Sequence, residues 1–242
     1  TVASWRARGG MGAIPAALAA RLGARVRCDA PVARVTPVTG GVELDGPAGG
    51  RYDAAVLAVP AVAAQGLIGA AVPALATALA ASVAASVAVV YLGFDEAVVP
   101  PERDGFGLLV CAGERVRALG VVFESTLYPA RAPFGARLFR MIYGGGRDPA
   151  AASLADAELI ALARGDLAKV LGITATPRHH SLVRWAGALS QYPVGHKARV
   201  AQWDALARPH RLVLCGAPYH GVAVNACIAD GRRAAAAIAE LA

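Results

Sequence analysis

The segment spanning residues 211–241 combines residue types that could bind an anion. Residues 211–215 (RLVLC) are predicted to form a buried strand, and residues 226–241 a helix, with the turn sequence GAPYHGVAVN between them. The first backbone N–H groups of a helix have no partner within it, and the helix dipole places partial positive charge there. This order of elements suits an anionic ligand, although these features alone fit a packing turn equally well.

The histidines and cysteines predict neither a metal site nor a catalytic triad. The histidines are His179, His180, His196, His210 and His220. Their spacing matches no zinc or triad pattern, and the four cysteines include no C-x-x-C pair. We therefore expect no metal ion and no acid–base pair of catalytic side chains.

Composition predicts a globular chain of one or two domains. Of 242 residues, 56% are hydrophobic and only 17% are charged, which allows a sizeable core. The net charge of +7 rests almost wholly on arginine, because Lys169 and Lys197 are the only lysines. We interpret these arginines as scattered and solvated, and no basic run or RNA-binding signature predicts a nucleic-acid partner.

The first half of the chain is predicted to be a helix followed by strands. A helix is predicted at residues 13–22, a strand at 25–28, a hairpin formed by 31–38 and 41–45, and a strand at 51–59. No charged residue lies between Asp53 and Asp95, but glycine and proline interrupt this stretch, so a membrane span is not favoured. We expect a helix near residues 74–84 and a strand at 86–94 instead.

The second half begins with predicted strands at residues 106–111, 118–124 and 137–143. A helix is predicted from Ser153 to a C-cap at Gly172, because its apolar residues recur at helical spacing. A strand is predicted at residues 181–185. These elements must position any site that the chain forms.

Several blocks resemble the flavin amine-oxidase superfamily and occur in the same order there. They are RGGMGAIPAALAARL, APVARV, YDAAVLAVP and LVLCGAPYHGVAVNACIADGRRAA. The middle blocks GFGLLV, LGVVFESTLYPARAPFG and RWAGALSQYPVGH resemble the protoporphyrinogen oxidase family within it. The resemblance runs from about Gly9 to Ala237, with two departures at Ser190 and Ala226.

The resemblance implies a fold of the α+β and α/β classes, as the carboxyl-terminal part of a two-domain, Rossmann-like FAD-binding flavoprotein with a mixed-sheet substrate domain. It assigns residues 1–70 and 191–242 to the FAD-binding domain and 71–190 to the substrate-binding domain. Members of the family begin with a strand, a G-x-G-x-x-G turn and a helix that hold the FAD pyrophosphate. These 242 residues contain no such motif, so we expect the chain alone to be incomplete and inactive.

The resemblance also implies two sets of binding residues. The valine of the segment against the adenine matches Val32, and the turn before the last helix contacts the flavin pyrimidine through its backbone. The implied cofactor-binding residues are Val32, Trp185, Gly216, Val222, Ala223 and Val224. The implied porphyrinogen pocket, on the opposite face of the flavin, comprises Phe106, Gly107, Leu109 and Met141.

The implied reaction is the oxygen-dependent oxidation of protoporphyrinogen IX to protoporphyrin IX in haem biosynthesis. The flavin accepts hydride from the porphyrinogen, and dioxygen reoxidises the flavin. Arginine can bind the propionates of such a substrate, and the sequence leaves the choice among Arg131, Arg137 and Arg140 open. The resemblance places the enzyme in the cytoplasm, with peripheral association at the inner face of the membrane and a homodimer as further options.

Three alternatives stay open at this point. Coproporphyrinogen III could be the substrate, because the two porphyrinogens differ only in peripheral groups. Another flavin amine oxidase or desaturase is less favoured, since neither Lys169 nor Lys197 lies where amine oxidases place a lysine near the flavin. The chain could also be a non-catalytic, truncated remnant.

Overall fold

The computed structural model describes residues 7, 9–100 and 105–241. The chain divides into two compact units. Unit 1 comprises Thr1–Ala81 and Lys197–Ala242, and unit 2 comprises Ser82–His196. The chain thus leaves unit 1 once and returns to it once.

Unit 1 begins with helix α1, Ala13–Leu22, as predicted. A three-stranded antiparallel sheet follows, formed by β1 (Arg34–Val38), β2 (Gly41–Asp45) and β3 (Gly50–Tyr52). The β1–β2 hairpin is confirmed, and its turn contains Gly40 at φ +75°. The predicted strand at residues 25–28 is wrong: Gly23–Arg25 form a 3₁₀ turn, and residues 26–28 are exposed with no strand assigned.

The single strand predicted at residues 51–59 is two strands in different sheets. The chain bends after β3, and β4 (Ala55–Leu57) leaves the antiparallel sheet. Helices α2 (Ala61–Ile68) and α3 (Pro73–Leu79) follow, and each buries three side chains. The sequence did not predict α2, because an alanine-rich segment with Gly66 in its interior shows no polar face to define a helical period.

Unit 2 is built on a five-stranded sheet. Its elements, in chain order, are β5 (Val83–Asp95), β6 (Gly107–Leu109), β7 (Gly120–Phe123), α4 (Glu124–Leu127), β8 (Ala136–Gly144), α5 (Asp156–Leu171) and β9 (His179–Gln191). The strand order is β6-β7-β8-β5-β9. Helix α5 ends at Gly172 in the left-handed conformation, φ +72°, which confirms the predicted C-cap.

A mixed sheet was predicted for this unit, but every described pair of neighbouring strands is antiparallel. The physical reason lies in the connections. The strands β8 and β9 flank α5 and run parallel to each other, yet β5 lies between them and pairs antiparallel with both. A crossover helix therefore joins two strands that do not hydrogen-bond to each other.

One face of this sheet packs on α5 and forms the core of unit 2. Alternate residues of β5 and β8, including Val90, Leu92 and Met141, are fully buried there against Leu159 and Leu167 of α5. The opposite face we call the open face. Its side chains are half-buried or exposed, and they belong to Val87, Val89, Tyr91, Leu109, Val122, Arg140, Ile142, Val183 and Trp185.

The chain returns to unit 1 through α6 (His196–Ala207), β10 (Leu212–Leu214) and α7 (Val224–Ala239). Strand β10 is fully buried and pairs in parallel with β4, so it matches the predicted buried strand. Trp203 of α6 packs in the core of this unit with Leu75 and Leu79 of α3. Among the described residues, no helix has the length and apolar character needed to cross a membrane.

Candidate active site

The turn between β10 and α7 leaves the start of α7 without a side-chain cap. Ala223 is the N-cap residue, in an extended conformation at φ −73° and ψ 148°, and it has no side-chain oxygen. The first intrahelical hydrogen bond runs from the N–H of Cys227 to the carbonyl of Ala223, at 2.9 Å. The N–H groups of residues 224–226 precede that bond, so their geometry suits a carbonyl or anionic acceptor outside the helix.

Two glycines allow the backbone of this turn to adopt its path. Gly216 has φ +109° and Gly221 has φ +141°, which side-chain-bearing residues rarely adopt. A Cβ atom at Gly221 would lie 2.6 Å from the Cβ of Ala226. The turn thus approaches the first turn of α7 more closely than any other residue type would allow.

A buried carboxylate fixes this turn to the helix. Asp230, 4% exposed, accepts hydrogen bonds from the backbone N–H of Gly216 at 2.6 Å and from Nε of Arg233 at 2.6 Å. Arg233 also donates to the carbonyl of Leu214 at 2.6 Å. Burial opposes ionisation of Asp230, but these donors and the nearby His220 outweigh it and hold its pKa below the usual value.

His220 lies between two carboxylates at the same turn. Its Nε2 is 3.1 Å from Oδ2 of Asp204 on α6, and its Nδ1 is 3.1 Å from Oδ1 of Asp230 on α7. The side chain is 21% exposed. His220 therefore joins α6 to α7, and this role is structural.

The structure brings four of the predicted cofactor residues together in this turn, namely Gly216, Val222, Ala223 and Val224. The N–H of Gly216 is used by Asp230, so its contribution is close backbone approach and not a donated hydrogen bond. Val222 and Val224 are about half exposed. Val32 lies in the same unit just before β1, half-buried against the core, and Trp185 lies on the open face of unit 2 with 54% exposure.

The open face of unit 2 consists of transverse rows of side chains. One row consists of five residues, each paired with the next across neighbouring strands: Leu109, Gly120, Ile142, Val89 and Val183. This row is apolar and crosses all five strands. The neighbouring row contains Gly107, Val122, Arg140, Tyr91 and Ser181 in the same manner. An apolar platform therefore lies beside a row that contains one cationic side chain.

Three of the four predicted substrate residues lie at the edge of this face. Phe106 precedes β6 and is 70% exposed, and Leu109 is 89% exposed on β6. Gly107 has φ +137°, and a Cβ there would lie 2.1 Å from the carbonyl oxygen of Val121, so only glycine fits between these strands.

Met141, the fourth predicted substrate residue, lies on the other face of the sheet. It is fully buried in the core, and the hydroxyl of Tyr143 lies 3.9 Å from its sulfur. Side chains alternate along a strand, so the residue that β8 presents on the open face is Ile142. The alternation of Phe139, Met141 and Tyr143 in the sequence already indicated that Met141 belongs to the buried face. The family resemblance was nevertheless used to assign Met141 to the pocket.

A buried carboxylate also organises the polar end of the open face. The side chain of Glu124, at the start of α4, is 0% exposed and bridges Arg131 and Arg140, each at 2.7 Å. Both arginine side chains are 33% exposed. Arg131 also lies over the ring of Tyr128, at 5.2 Å. The sequence did not identify Glu124, since no periodic pattern distinguishes a buried glutamate at the end of a strand.

The chain matches one protein family along nearly its whole length. The model of the flavin containing amine oxidoreductases matches residues 3–239. The chain therefore belongs to this family, and the match confirms the predicted resemblance, the oxidoreductase class and the flavin cofactor of that class.

Within that family, curated relatives narrow the comparison. The protoporphyrinogen oxidase of Homo sapiens is 34% identical over 97% of this chain and 51% of its own length. The coproporphyrinogen III oxidases of Mycobacterium leprae and Bacillus subtilis are 36% and 31% identical, over 77% and 80% of this chain. The chain thus spans about half the length, or less, of these relatives.

Solved structures confirm the fold. A protein described as a protoporphyrinogen oxidase from Exiguobacterium sp. 255-15 superposes with a TM-score of 0.82 at 20% identity, covering 96% of this chain and 51% of that one. The cyclohexylamine oxidase of Brevibacterium oxydans superposes with a TM-score of 0.75 at 19% identity. The folds of both units of the chain therefore have counterparts in these solved structures.

Proposed function

We propose that this chain is the substrate-binding and flavin-contacting part of an oxygen-dependent porphyrinogen oxidase that converts protoporphyrinogen IX to protoporphyrin IX. The observation that carries the proposal is the 34% identity to a protoporphyrinogen oxidase along 97% of the chain, through both units. Because the chain covers only half of that relative, the activity is proposed for the protein of which these residues form a part.

The flavin, when bound, would accept hydride from the porphyrinogen macrocycle. The residues of this chain that fit the flavin are in the turn before α7, where Ala223 and Val224 have no polar side-chain atoms and offer backbone N–H groups. Partial positive charge at the start of α7 would favour the reduced, more negative flavin. Val32 is proposed to contact the adenine and Trp185 another part of the cofactor.

The pyrophosphate of FAD is not accounted for by the residues of this chain. Its negative charges require a glycine-rich turn at the start of a helix, and neither GGMGAI near residue 10 nor YGGGRD near residue 145 has the required spacing. We therefore propose that a further polypeptide segment completes the flavin site.

The substrate is proposed to lie on the open face of unit 2, against Phe106, Gly107, Leu109 and Ile142. The apolar macrocycle of a porphyrinogen matches the apolar row through Ile142, Val89 and Val183. Met141 is proposed to support this platform from the core side of the same strand.

Coproporphyrinogen III is the second candidate substrate. The specific observation in its favour is the similarity to coproporphyrinogen III oxidases of Mycobacterium leprae and Bacillus subtilis. The two substrates share the macrocycle and differ in the number of carboxylates at its periphery, so the apolar row does not discriminate between them.

The test is porphyrin formation by the product of the longest open reading frame that contains this chain. The purified protein, loaded with FAD, is supplied under air with protoporphyrinogen IX or coproporphyrinogen III, and porphyrin fluorescence is followed against the non-enzymatic rate. We expect formation with at least one of them and release of hydrogen peroxide. A flavin-loaded protein that oxidises neither compound would contradict the proposal, and a reading frame without a G-x-G-x-x-G turn would favour a non-catalytic remnant.

The cellular location and assembly are part of the same proposal. We propose a cytoplasmic protein that associates with the inner face of the membrane at most peripherally, and a homodimer as the form to be tested. Sedimentation with vesicles and gel filtration of the full-length protein would measure both properties.

A further inference from the structure

We infer that Arg140, held in place by Glu124, recognises the carboxylates of the porphyrinogen at one end of the open face, with Arg131 beside it. The inference rests on the proposed function and adds to it a side chain that orients the substrate. The sequence left the choice among Arg131, Arg137 and Arg140 open, and the contacts of the three arginines now distinguish them.

Arg140 lies on the open face, directly beside the apolar row. In the sheet its neighbours are Val122 on β7 and Tyr91 on β5, and the next open-face residue of its own strand is Ile142. A ligand that covers Ile142 and Val89 therefore has its edge within reach of the Arg140 guanidinium. Arg137, by contrast, lies at the start of β8, pairs with Glu96 and opposes the buried Phe94 of β5.

The charge of the cluster favours an anion. Arg131 and Arg140 carry two positive charges against the one negative charge of Glu124, which leaves a net charge of +1. The Glu124 carboxylate is 0% exposed, whereas each arginine side chain keeps 33% exposure. The acid is thus withdrawn from any ligand, and the exposed part of the cluster consists of guanidinium groups.

Geometry leaves donors on Arg140 for a ligand. A guanidinium has five N–H donors in a fixed plane, and Glu124 is approached through Nε of Arg140. The terminal nitrogens can therefore form a paired contact with a carboxylate. Glu124 keeps the guanidinium in place before the ligand binds, which reduces the side-chain entropy lost on binding.

A cavity adjoins the same end of the sheet and continues this basic region. It has a volume of about 490 Å³, and its charged lining residues are Arg131, Arg137, Arg178 and Asp95, of which Asp95 is the ion-pair partner of Arg178. Gly93, Leu138 and His179 also line it. Gly93 and Leu138 occupy the open-face row that follows Tyr91 and Arg140. Carboxylates on flexible side chains of the macrocycle can enter this cavity while the ring lies on the apolar row.

The experiment compares two probes that differ in charge, coproporphyrin III and its uncharged tetra-amide. Both are titrated into the 242-residue chain, and binding is followed by porphyrin fluorescence. The wild-type chain should bind the acid more tightly than the amide. Arg140→Met should weaken binding of the acid by about tenfold to a hundredfold, the effect of losing a charge-assisted contact, and leave binding of the amide nearly unchanged.

The matched control is Arg184→Met. Arg184 belongs to the same sheet, is 35% exposed, and pairs with Asp156 on the side of α5 instead of the open face. This variant should keep the preference for the acid. The double variant Glu124→Gln with Arg140→Met removes both charges of the pair. If its unfolding midpoint equals that of wild type, any destabilisation of the single variant comes from the buried Glu124 carboxylate that has lost a partner. Weak binding of the acid by the double variant is then due to loss of the ligand contact.

Each outcome decides the inference. A double variant that is as stable as wild type but still lacks the preference for the acid supports it. Equal affinity of wild type for acid and amide, or an equal loss in the Arg140 and Arg184 variants, overturns the role of Arg140 and leaves the oxidase proposal intact. Absence of binding of either probe also overturns it, whereas only the turnover assay of the flavin-loaded protein decides the proposed activity.

Discussion

The Asp230 carboxylate accepts a hydrogen bond from the backbone N–H of Gly216, with Oδ2 and N 2.6 Å apart, and so ties α7 to the turn after β10. The two residues are 14 positions apart in the chain, so the contact joins the beginning of the turn to the second turn of α7. The buried carboxylate, together with Arg233 and His220, therefore holds the turn at the start of α7.

Replacing Asp230 with Asn should reduce stability in a pH-dependent way. The folded-state pKa of Asp230 lies below its usual value, so its contribution is present above the unfolded pKa and is lost as pH falls through the folded pKa. We expect a loss of about 1–3 kcal/mol in the free energy of unfolding at neutral pH. That difference from wild type should narrow below about pH 4.

Urea denaturation of both proteins between acidic and neutral pH measures this effect. Asp148→Asn is the control, because Asp148 also has a lowered pKa, through its hydrogen bond to Arg117, but is more exposed. It should cost less than Asp230→Asn. A difference between wild type and Asp230→Asn that stays constant across the pH range would show that the charge of Asp230 is not what holds the turn.

Ala223 tests whether the turn acts through its backbone. Its φ of −73° already suits proline, so Ala223→Pro removes the N–H donor without forcing a new φ, whereas Ala223→Ser keeps the donor. In a flavin-loaded, full-length protein, the proline variant should lower the flavin reduction potential or release FAD, and the serine variant should change little. If both variants retain wild-type affinity and potential, the turn is only a packing element.

The elements that the sequence predicted correctly are those that begin or end at residues with a strong local conformational preference. Helix α5 ends at Gly172 because a left-handed residue stops the helix, and its start is reinforced by Glu158, whose carboxylate accepts from the N–H of Ala155 at 3.1 Å. The hairpin of β1 and β2 follows from alternation around a glycine turn. These features depend on neighbours in sequence, which is why sequence reasoning found them.

Contacts between distant residues were beyond such reasoning. Glu124 is buried because Arg131 and Arg140 reach it, and Asp166 is buried because it accepts from the backbone N–H groups of Arg117 and Ala118. No local pattern separates these acids from solvated ones. Alternation along β8 shows that Met141 and Ile142 lie on opposite faces of the sheet. Confirming which of these two faces is buried, however, required the position of α5.

The opposite faces of β8 predict opposite phenotypes for adjacent residues. Met141→Ala should lower the free energy of unfolding by about 2–4 kcal/mol, because it leaves a cavity in a fully buried core. Ile142→Ala should cost less stability, since its side chain is only partly buried, but it should weaken binding of coproporphyrin III. Thermal unfolding and porphyrin titration of both variants measure the contrast.

A reversed result would change the assignment of the faces. If Met141→Ala weakened porphyrin binding without lowering the unfolding midpoint, the substrate pocket predicted from the sequence would lie on the α5 side. Ile142→Val serves as the conservative control, because it keeps a β-branched side chain on the open face and should retain most of the binding.

The 242-residue chain, purified alone, should carry far less than one FAD per chain. Backbone N–H groups before α7 can bind one end of the flavin, but nothing in the sequence supplies the glycine-rich turn that neutralises the pyrophosphate. The measurement is flavin released by denaturation, relative to protein, after expression with added riboflavin. The full-length Bacillus subtilis relative, prepared in the same way, is the control for cofactor supply. A ratio of one FAD to one chain would mean that residues of this chain bind the pyrophosphate by another route, and the proposal of a completing segment would then be wrong.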